Sequence, residues 1–251
     1  MARFAANLTY LFTELPMQQR FAAARRAGFD GVEILFPYDL PCGDLVAAAD
    51  AAGLEFVLLN TPPPNWAGGP RGFAARPGNE ARFRADFDRA LRLADTLKVR
   101  HVHVMAGRAQ GAAARATLVR NLKWAAARAP HLSLTIEPIN ASDNPGYYLN
   151  SFHLAAEILA EVDAPNLGLQ FDAYQAQMIH GQVLTLWERF APITRHVQVA
   201  GCPGRHEPSA GVIDFSSFYR ALEASNYDGW IGAEYTPLSS TESGVDWLRS
   251  A

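Results

Sequence analysis

Cysteine is scarce in this sequence, and clustered positive charge, long apolar runs and glycine-rich nucleotide loops are missing. The two cysteines, Cys42 and Cys202, lie far apart and form no C-x-x-C pair. Neither a disulfide framework nor a zinc knuckle is indicated, and a reducing cytoplasm fits. The formal net charge is −3 with no block of Lys and Arg. A nucleic-acid groove needs a clustered positive field, so nucleic acid is not an expected partner, while a small or anionic substrate stays open. No apolar run approaches the roughly 20 residues of a membrane span, and the opening MARFAANLTYLF has no long apolar segment behind a basic start. A soluble, cytoplasmic protein without a membrane partner is expected. G-x-G-x-x-G and Walker A loops do not occur, and no Ser-His-Asp set with a nucleophile elbow is visible. No linker or low-complexity stretch divides the chain, so one domain over residues 1–251 is expected.

What is present is an alternation. Eight short apolar, β-rich runs fall at 4–8, 31–35, 56–60, 100–105, 132–137, 167–172, 194–199 and 230–235. Helical patterns follow at 17–27, 44–52, 79–97, 112–129, 152–162, 182–190, 215–224 and 241–249. Pro16 suits a first helical turn, Gly28 and Gly53 suit the position after a helix, and Ser151 suits an N-cap. Eight βα repeats in a chain of this length predict an α/β fold, a single (β/α)8 TIM barrel, in which catalytic groups stand at the C-terminal ends of the strands.

Four consecutive strand ends carry oxygen. LTIEPIN ends the fifth strand with Glu137, LGLQFDAY the sixth with Asp172, RHVQVAG the seventh with Gln198 and WIGAEY the eighth with Glu234. A lone strand-end carboxylate is more often a loop anchor or a salt-bridge partner. Three of them converging on one mouth repel each other and are pushed toward protonation unless a cation sits among them. Two Glu, one Asp and one Gln form an all-oxygen set that suits a hard divalent ion, Mg²⁺ or Mn²⁺, better than Zn²⁺.

Other residues read more plainly. His101 and His103 share one face of the fourth strand and fit barrel packing or support of the site better than a zinc pair. His196 shares a face with Gln198 and is expected to be a deeper hydrogen-bonding neighbour, whereas His206 reads equally well as solvent-exposed. Glu33 lies where it could line the pocket from the second strand, but a salt bridge to a neighbouring strand is the reading adopted. Cys202 has no activating base and is read as packing. The long Pro/Gly-rich loop at 61–78 is of a length that usually serves function, with Trp66 and Phe73 either covering the site or packing the loop down.

Along essentially the whole chain the sequence resembles the hydroxypyruvate isomerase family of xylose-isomerase-like TIM barrels. The segments that carry this are FAANLTYLFTELP, GFDGVEILFPYDLP, VLLNTPPPNWAGGPRGFAARPG, VHVMAGR, IEPINASDNPGYYLNS, LQFDAYQAQMIHG, HVQVAGCPGRHEPSAGVIDF and YDGWIGAEYTP. The resemblance implies that Glu137 and Glu234 are an acid/base pair that also ligates the metal with Asp172 and Gln198. It implies interconversion of hydroxypyruvate and tartronate semialdehyde or, in close relatives, of 2-oxo-tetronates, and association into a homo-oligomer. Two positions depart from the family's pattern: Gln175 stands where a histidine near the substrate is expected, and Gly201 replaces an acid.

For a small hydroxy-oxo acid, moving the carbonyl to the neighbouring carbon needs a proton removed from one carbon and returned to the next. Glu137 and Glu234 on non-adjacent strands suit those two tasks, and a divalent metal would polarise the oxygens. Arg205 and Arg71, both in loops at the mouth, are expected to meet the substrate carboxylate, with Gln175 and His103 as further substrate contacts. The alternatives are a ketose 3-epimerase, disfavoured by Gln198 where epimerases resemble each other in having His, and a non-catalytic sugar-acid-binding barrel, supported only by Gln175 and Gly201. A DNA-repair endonuclease of the superfamily would need a His-rich zinc site and a basic face.

Overall fold

Strands that are apolar on both faces need cover on both, and closure into a barrel with helices outside supplies it. The computed structural model describes residues 3–63, 71–209 and 211–249. Strands β1 (Arg3–Asn7), β2 (Gly31–Glu33), β3 (Glu55–Asn60), β4 (His101–His103), β5 (Ser133–Ile136), β6 (Leu167–Asp172), β7 (Thr194–Val199) and β8 (Trp230–Ala233) follow in order around a closed barrel. Every neighbouring pair is parallel, and β1 pairs with β8 to close the ring.

Around it stand α1 (Met17–Ala27), α2 (Cys42–Ala52), α3 (Glu80–Leu97), α4 (Gly111–Arg128), α5 (Phe152–Val162), α6 (Ala173–His180), α7 (Val183–Phe190), α8 (Phe215–Ala224) and α9 (Thr241–Gly244). Gly28 and Gly53 end α1 and α2 in the left-handed conformation, and the Ser151 side chain caps α5 by accepting from the Leu154 amide, all as expected.

Strands β2, β4 and β8 are shorter than expected, and three helical segments differ more. Helix α6 was not anticipated, because it starts directly off β6 with no turn residues between them: Asp172 ends the strand and caps the helix. The last segment, expected as one helix over 241–249, is a short α9 and a 3-10 turn at Asp246–Arg249, since Gly244 is a poor residue to carry a helix onward. Helix α2 starts at Cys42 rather than at residue 44.

Period-two alternation then decides which side chains enter the barrel. On β6, Phe171 packs outward on Trp187 (5.3 Å) and Phe218 (5.8 Å) of α7 and α8. That fixes Gln170 and Asp172 on the inner face. The loops after β3, β4 and β5 are tied in series: Gly72 bridges Ala106, Arg108 bridges Tyr147, and the Ala106 amide donates to the Tyr147 hydroxyl at 2.9 Å. Gly72 (φ 92°) and Gly107 (φ 82°) permit the crossing, because a Cβ at Gly72 would stand 2.7 Å from the Met105 carbonyl carbon and one at Gly107 2.7 Å from that of Gly72.

Candidate active site

The register aligns Asp172 with Gln198 across β6 and β7, and Gln198 with Gly232 across β7 and β8. Glu137 and Glu234 each stand one residue past their strands. All four are buried at the same end of the barrel, so the structure brings together the four residues expected there. Gln198 is the centre of a connected network. Its Nε2 donates to Glu234 Oε2 (2.6 Å) and to Glu33 Oε2 (2.8 Å), and its Oε1 accepts from Gln170 Nε2 (2.7 Å). Gln170 Nε2 also donates to Glu137 Oε2 (3.2 Å), and its orientation is set by Thr135, whose hydroxyl donates to Gln170 Oε1 (3.0 Å). The two glutamates are therefore linked through a pair of amides.

Arg205 supplies the positive charge. Its Nη2 donates to Asp172 Oδ2 (2.8 Å) and to Glu234 Oε1 (2.6 Å), and its Nε donates to the Glu234 backbone carbonyl (3.2 Å). Its guanidinium also lies 4.9 Å from the centre of the Tyr174 ring. Arg205 has φ 55°, a conformation rarely taken by a non-glycine residue. The loop is held on both sides, Gly201 N to the His206 carbonyl at 2.8 Å and Thr236 N to the Arg205 carbonyl at 2.9 Å. The arginine expected to contact substrate thus holds two of the carboxylates itself.

Burial dominates the electrostatics. It lifts Glu234 to about 7, with Asp172 and Glu33 adding to the rise and Arg205 opposing it. Glu137 lies well above the usual carboxylate range through burial, Asp172 and Glu234. Asp172 is raised by burial despite Arg205 and the amides of Tyr174 and Gln175. One guanidinium in direct contact does not balance this group. The donors fit a hard divalent cation in kind: three carboxylates and an amide oxygen, all buried, with anionic excess. As the side chains stand, no three His, Cys, Asp or Glu residues among the described residues are gathered to hold an ion.

His103 is fully buried, with Nδ1 3.5 Å from Glu137 Oε2, and burial together with the positive field of His196 and Arg71 holds it down at about 3. As a neutral ring it is packed beside Glu137, and neither of its nitrogens has a hydrogen-bond partner among the described residues. Gln175 is buried and occupied: its Oε1 accepts from the Asn140 amide and from Asn140 Nδ2, both at 2.8 Å. Asn140 in turn donates to Asp143, which accepts from the Tyr174 hydroxyl at 2.9 Å. Arg71 is exposed, hydrogen-bonds Tyr10, and exerts its charge on Glu137 and Glu234. Phe73 is buried between Arg76 and Arg82, so it packs its loop down; Trp66 lies outside the described residues. Cys202 is buried, its thiol 3.6 Å from the Met178 sulfur, and His206 is half-buried, with Nδ1 at the Thr236 carbonyl (2.9 Å).

Glu33 departs from expectation. It makes no salt bridge to an adjacent strand. It reaches across the barrel to His196 on β7, Oε1 to Nε2 at 2.6 Å, and accepts from Asn7 Nδ2 at 3.1 Å. Asn7 Nδ2 also donates to Glu234 Oε2 (3.2 Å). Asn7 and Gln170 therefore belong to the site and were missed, and Glu33, expected to line the pocket only as the less favoured reading, belongs to it too. The signal was present, because Asn7 and Glu33 are the polar residues that end β1 and β2, by the same rule that identified β5 to β8. A cavity of about 1060 Å³ opens at the opposite end, lined by Arg3, Arg100, His101 and Trp230, and none of the strand-end carboxylates lines it.

Comparison with known proteins agrees with this geometry. The family model "Xylose isomerase-like TIM barrel" matches residues 21–251. A 2-oxo-tetronate isomerase of Cupriavidus necator is 44% identical over 99% of this chain and 98% of its own. The hydroxypyruvate isomerase of Escherichia coli is 37% identical over 99% and 98%. A solved structure from Brucella melitensis, described as an AP endonuclease of family 2, is 40% identical, with a TM-score of 0.96 over 100% of this chain and 99% of that one. With full-length similarity at this level and the acidic, amide-linked centre at the strand ends, the chain belongs to the hydroxypyruvate isomerase family of xylose isomerase-like TIM barrels and is an enzyme of that isomerase class.

Proposed function

We propose that the protein interconverts small hydroxy-oxo acids of the hydroxypyruvate/tartronate semialdehyde or 2-oxo-tetronate type by proton transfer between Glu137 and Glu234. The carrying observation is that these two buried carboxylates, from β5 and β8, are joined through Gln170 and Gln198 at the mouth of the barrel. The names of the full-length relatives support the substrate class.

For hydroxypyruvate, one glutamate removes a proton from the hydroxyl-bearing carbon, and the electron pair forms the enediol double bond as the carbonyl oxygen takes up a proton. The other glutamate returns a proton to the former carbonyl carbon, and the old hydroxyl oxygen releases its proton to become the new carbonyl. No external oxidant or reductant enters. Glu137, Asp172, Gln198 and Glu234 would hold a divalent ion, Mg²⁺ or Mn²⁺, which when bound supplies Lewis-acid polarisation of the substrate oxygens. Gln198 and Asn7 hold Glu234 in place, and Arg205, drawn from Asp172 and Glu234 toward a substrate carboxylate, would orient the acid. Gln175 acts through Asn140, shaping the wall of the mouth.

The test is proton NMR in heavy water on metal-stripped protein, with hydroxypyruvate and a 2-oxo-tetronate, before and after adding Mg²⁺ or Mn²⁺. Metal-dependent conversion with deuterium entering beside the carbonyl is expected. Absence of exchange with both acids, in protein shown to bind Mn²⁺, overturns the proposal.

A further inference from the structure

Glu33 comes from β2, yet its carboxylate is fully buried over β8, facing Glu234. Two amide groups stand between these carboxylates, and each uses one NH₂ on both: Gln198 Nε2 donates to Glu33 Oε2 (2.8 Å) and Glu234 Oε2 (2.6 Å), and Asn7 Nδ2 donates to the same two oxygens at 3.1 and 3.2 Å. The second oxygen of Glu33 is held by His196 Nε2 at 2.6 Å. Both oxygens of Glu33 are therefore engaged inside the protein, which leaves it no role in touching substrate.

We infer that Glu33 is a positioning residue for the Glu137/Glu234 pair, fixing which way the Gln198 amide faces and, through it, where both glutamates stand. This rests on the isomerase reading above. A glutamine amide has one donor end and one acceptor end. With carboxylate oxygens on two sides of its nitrogen, Gln198 turns its carbonyl oxygen toward Gln170, which then has its nitrogen turned to Glu137. Remove the Glu33 carboxylate and the Gln198 amide loses one of the two acceptors that hold its nitrogen end.

The backbone is cut to fit this arrangement. A Cβ at Gly232 would stand 2.6 Å from the Glu33 carboxyl carbon, so the glycine on β8 leaves the space in which that carboxylate sits. A salt bridge serving stability alone would not require the donor order of Gln198 and Gln170 to run in one direction from Glu33 to Glu137.

The test uses full-length parent, Glu33→Leu, Gly232→Ala and the double variant Gly232→Ala/Glu33→Asp, each checked for folding by circular dichroism. In the parent, the Gln198 side-chain amide protons, assigned by their loss in Gln198→Glu, exchange slowly with solvent. In Glu33→Leu, which has no acceptor for the Gln198 nitrogen, they exchange about tenfold or more faster, as expected when a buried hydrogen bond is lost. With Mn²⁺ and substrate, kcat falls about 10- to 100-fold in Glu33→Leu and in Gly232→Ala with KM nearly unchanged, the range typical of partners behind an active group. The shorter acid in the double variant recovers part of the kcat lost in Gly232→Ala. Unchanged exchange, or a kcat within about twofold of the parent in both single variants, overturns the inference. A parent without turnover refutes the isomerase reading instead, and the exchange measurement then decides Glu33 by itself. If Glu33→Leu does not fold, Gly232→Ala carries the same two measurements.

Discussion

Arg205 and Glu234 are joined twice, once through the side-chain carboxylate at 2.6 Å and once through the backbone carbonyl at 3.2 Å. The same guanidinium nitrogen reaches Asp172. A partly buried arginine shared in this way, its side chain 20% exposed, is a structural counter-charge before it is anything else, and its removal leaves two carboxylates buried without a direct cation. Arg205→Ala should lower stability near neutral pH by about 3–5 kcal/mol, as breaking a buried pair does. Arg205→Lys should recover only part, because a single ammonium lacks the planar fork. Urea unfolding of the three proteins checks both, and indistinguishable midpoints would contradict the assignment.

Glu137→Gln and Glu234→Gln should each lower kcat by about 10²- to 10⁴-fold while the barrel stays folded. The double variant should be little worse than either single one, since residues acting as a unit are not additive. Steady-state kinetics with deuterium wash-in gives the readout. Full activity in either single variant would remove that glutamate from the proton path.

His101, at the lower end of the barrel, is held well below the usual histidine range by burial, by the His196 ring 5.2 Å away, and by Arg195 and Arg100. In the unfolded chain it titrates near 6.5. Below that pH the unfolded state binds a proton that the folded state refuses, so stability is lost as pH falls below about 6.5. His101→Gln should flatten that fall by up to about 1.4 kcal/mol per pH unit for the one proton removed. Buried carboxylates with raised values tilt the curve the other way, so the comparison is parent against variant at each pH. Parallel curves from pH 6.5 down to 4 would refute it.

Gly72→Ala places a methyl group against the Met105 carbonyl at a positive φ. The strain should cost on the order of 1–3 kcal/mol. The β3 loop that carries Arg71 then loosens from Ala106, so KM should rise more than kcat falls. Michaelis constants for the two oxo acids test it, and an unchanged KM would show that Arg71 does not need this anchor.

Strand order and the strand-end oxygens were legible because they follow from short-range rules: β-rich runs between helical patterns, and side chains at every second position. Glu33 shows where those rules stop. Its sequence neighbours are compatible with a surface ion pair, and only the space left by Gly232, roughly two hundred residues on, admits its carboxylate to the interior. Helix α6 was hidden for a local reason, since Asp172 ends one element and caps the next with no turn residue to mark the change. The double hold of Arg205 on Asp172 and Glu234 depends on a left-handed residue in the loop after β7, which residue type alone does not announce.

Closure of the barrel has a consequence for the order in which the protein becomes competent. The first and last strands pair with each other, and Asn7 of β1 meets Glu234 at the end of β8, while Glu33 of β2 meets Gln198 of β7. The centre therefore straddles the seam where the chain's beginning and end join. A polypeptide emerging from the ribosome holds Asn7 and Glu33 long before it holds Glu234, and no arrangement of its earlier strands completes the set. Recovery of turnover during refolding accordingly times the docking of the final strand, which makes catalysis a clock for barrel closure.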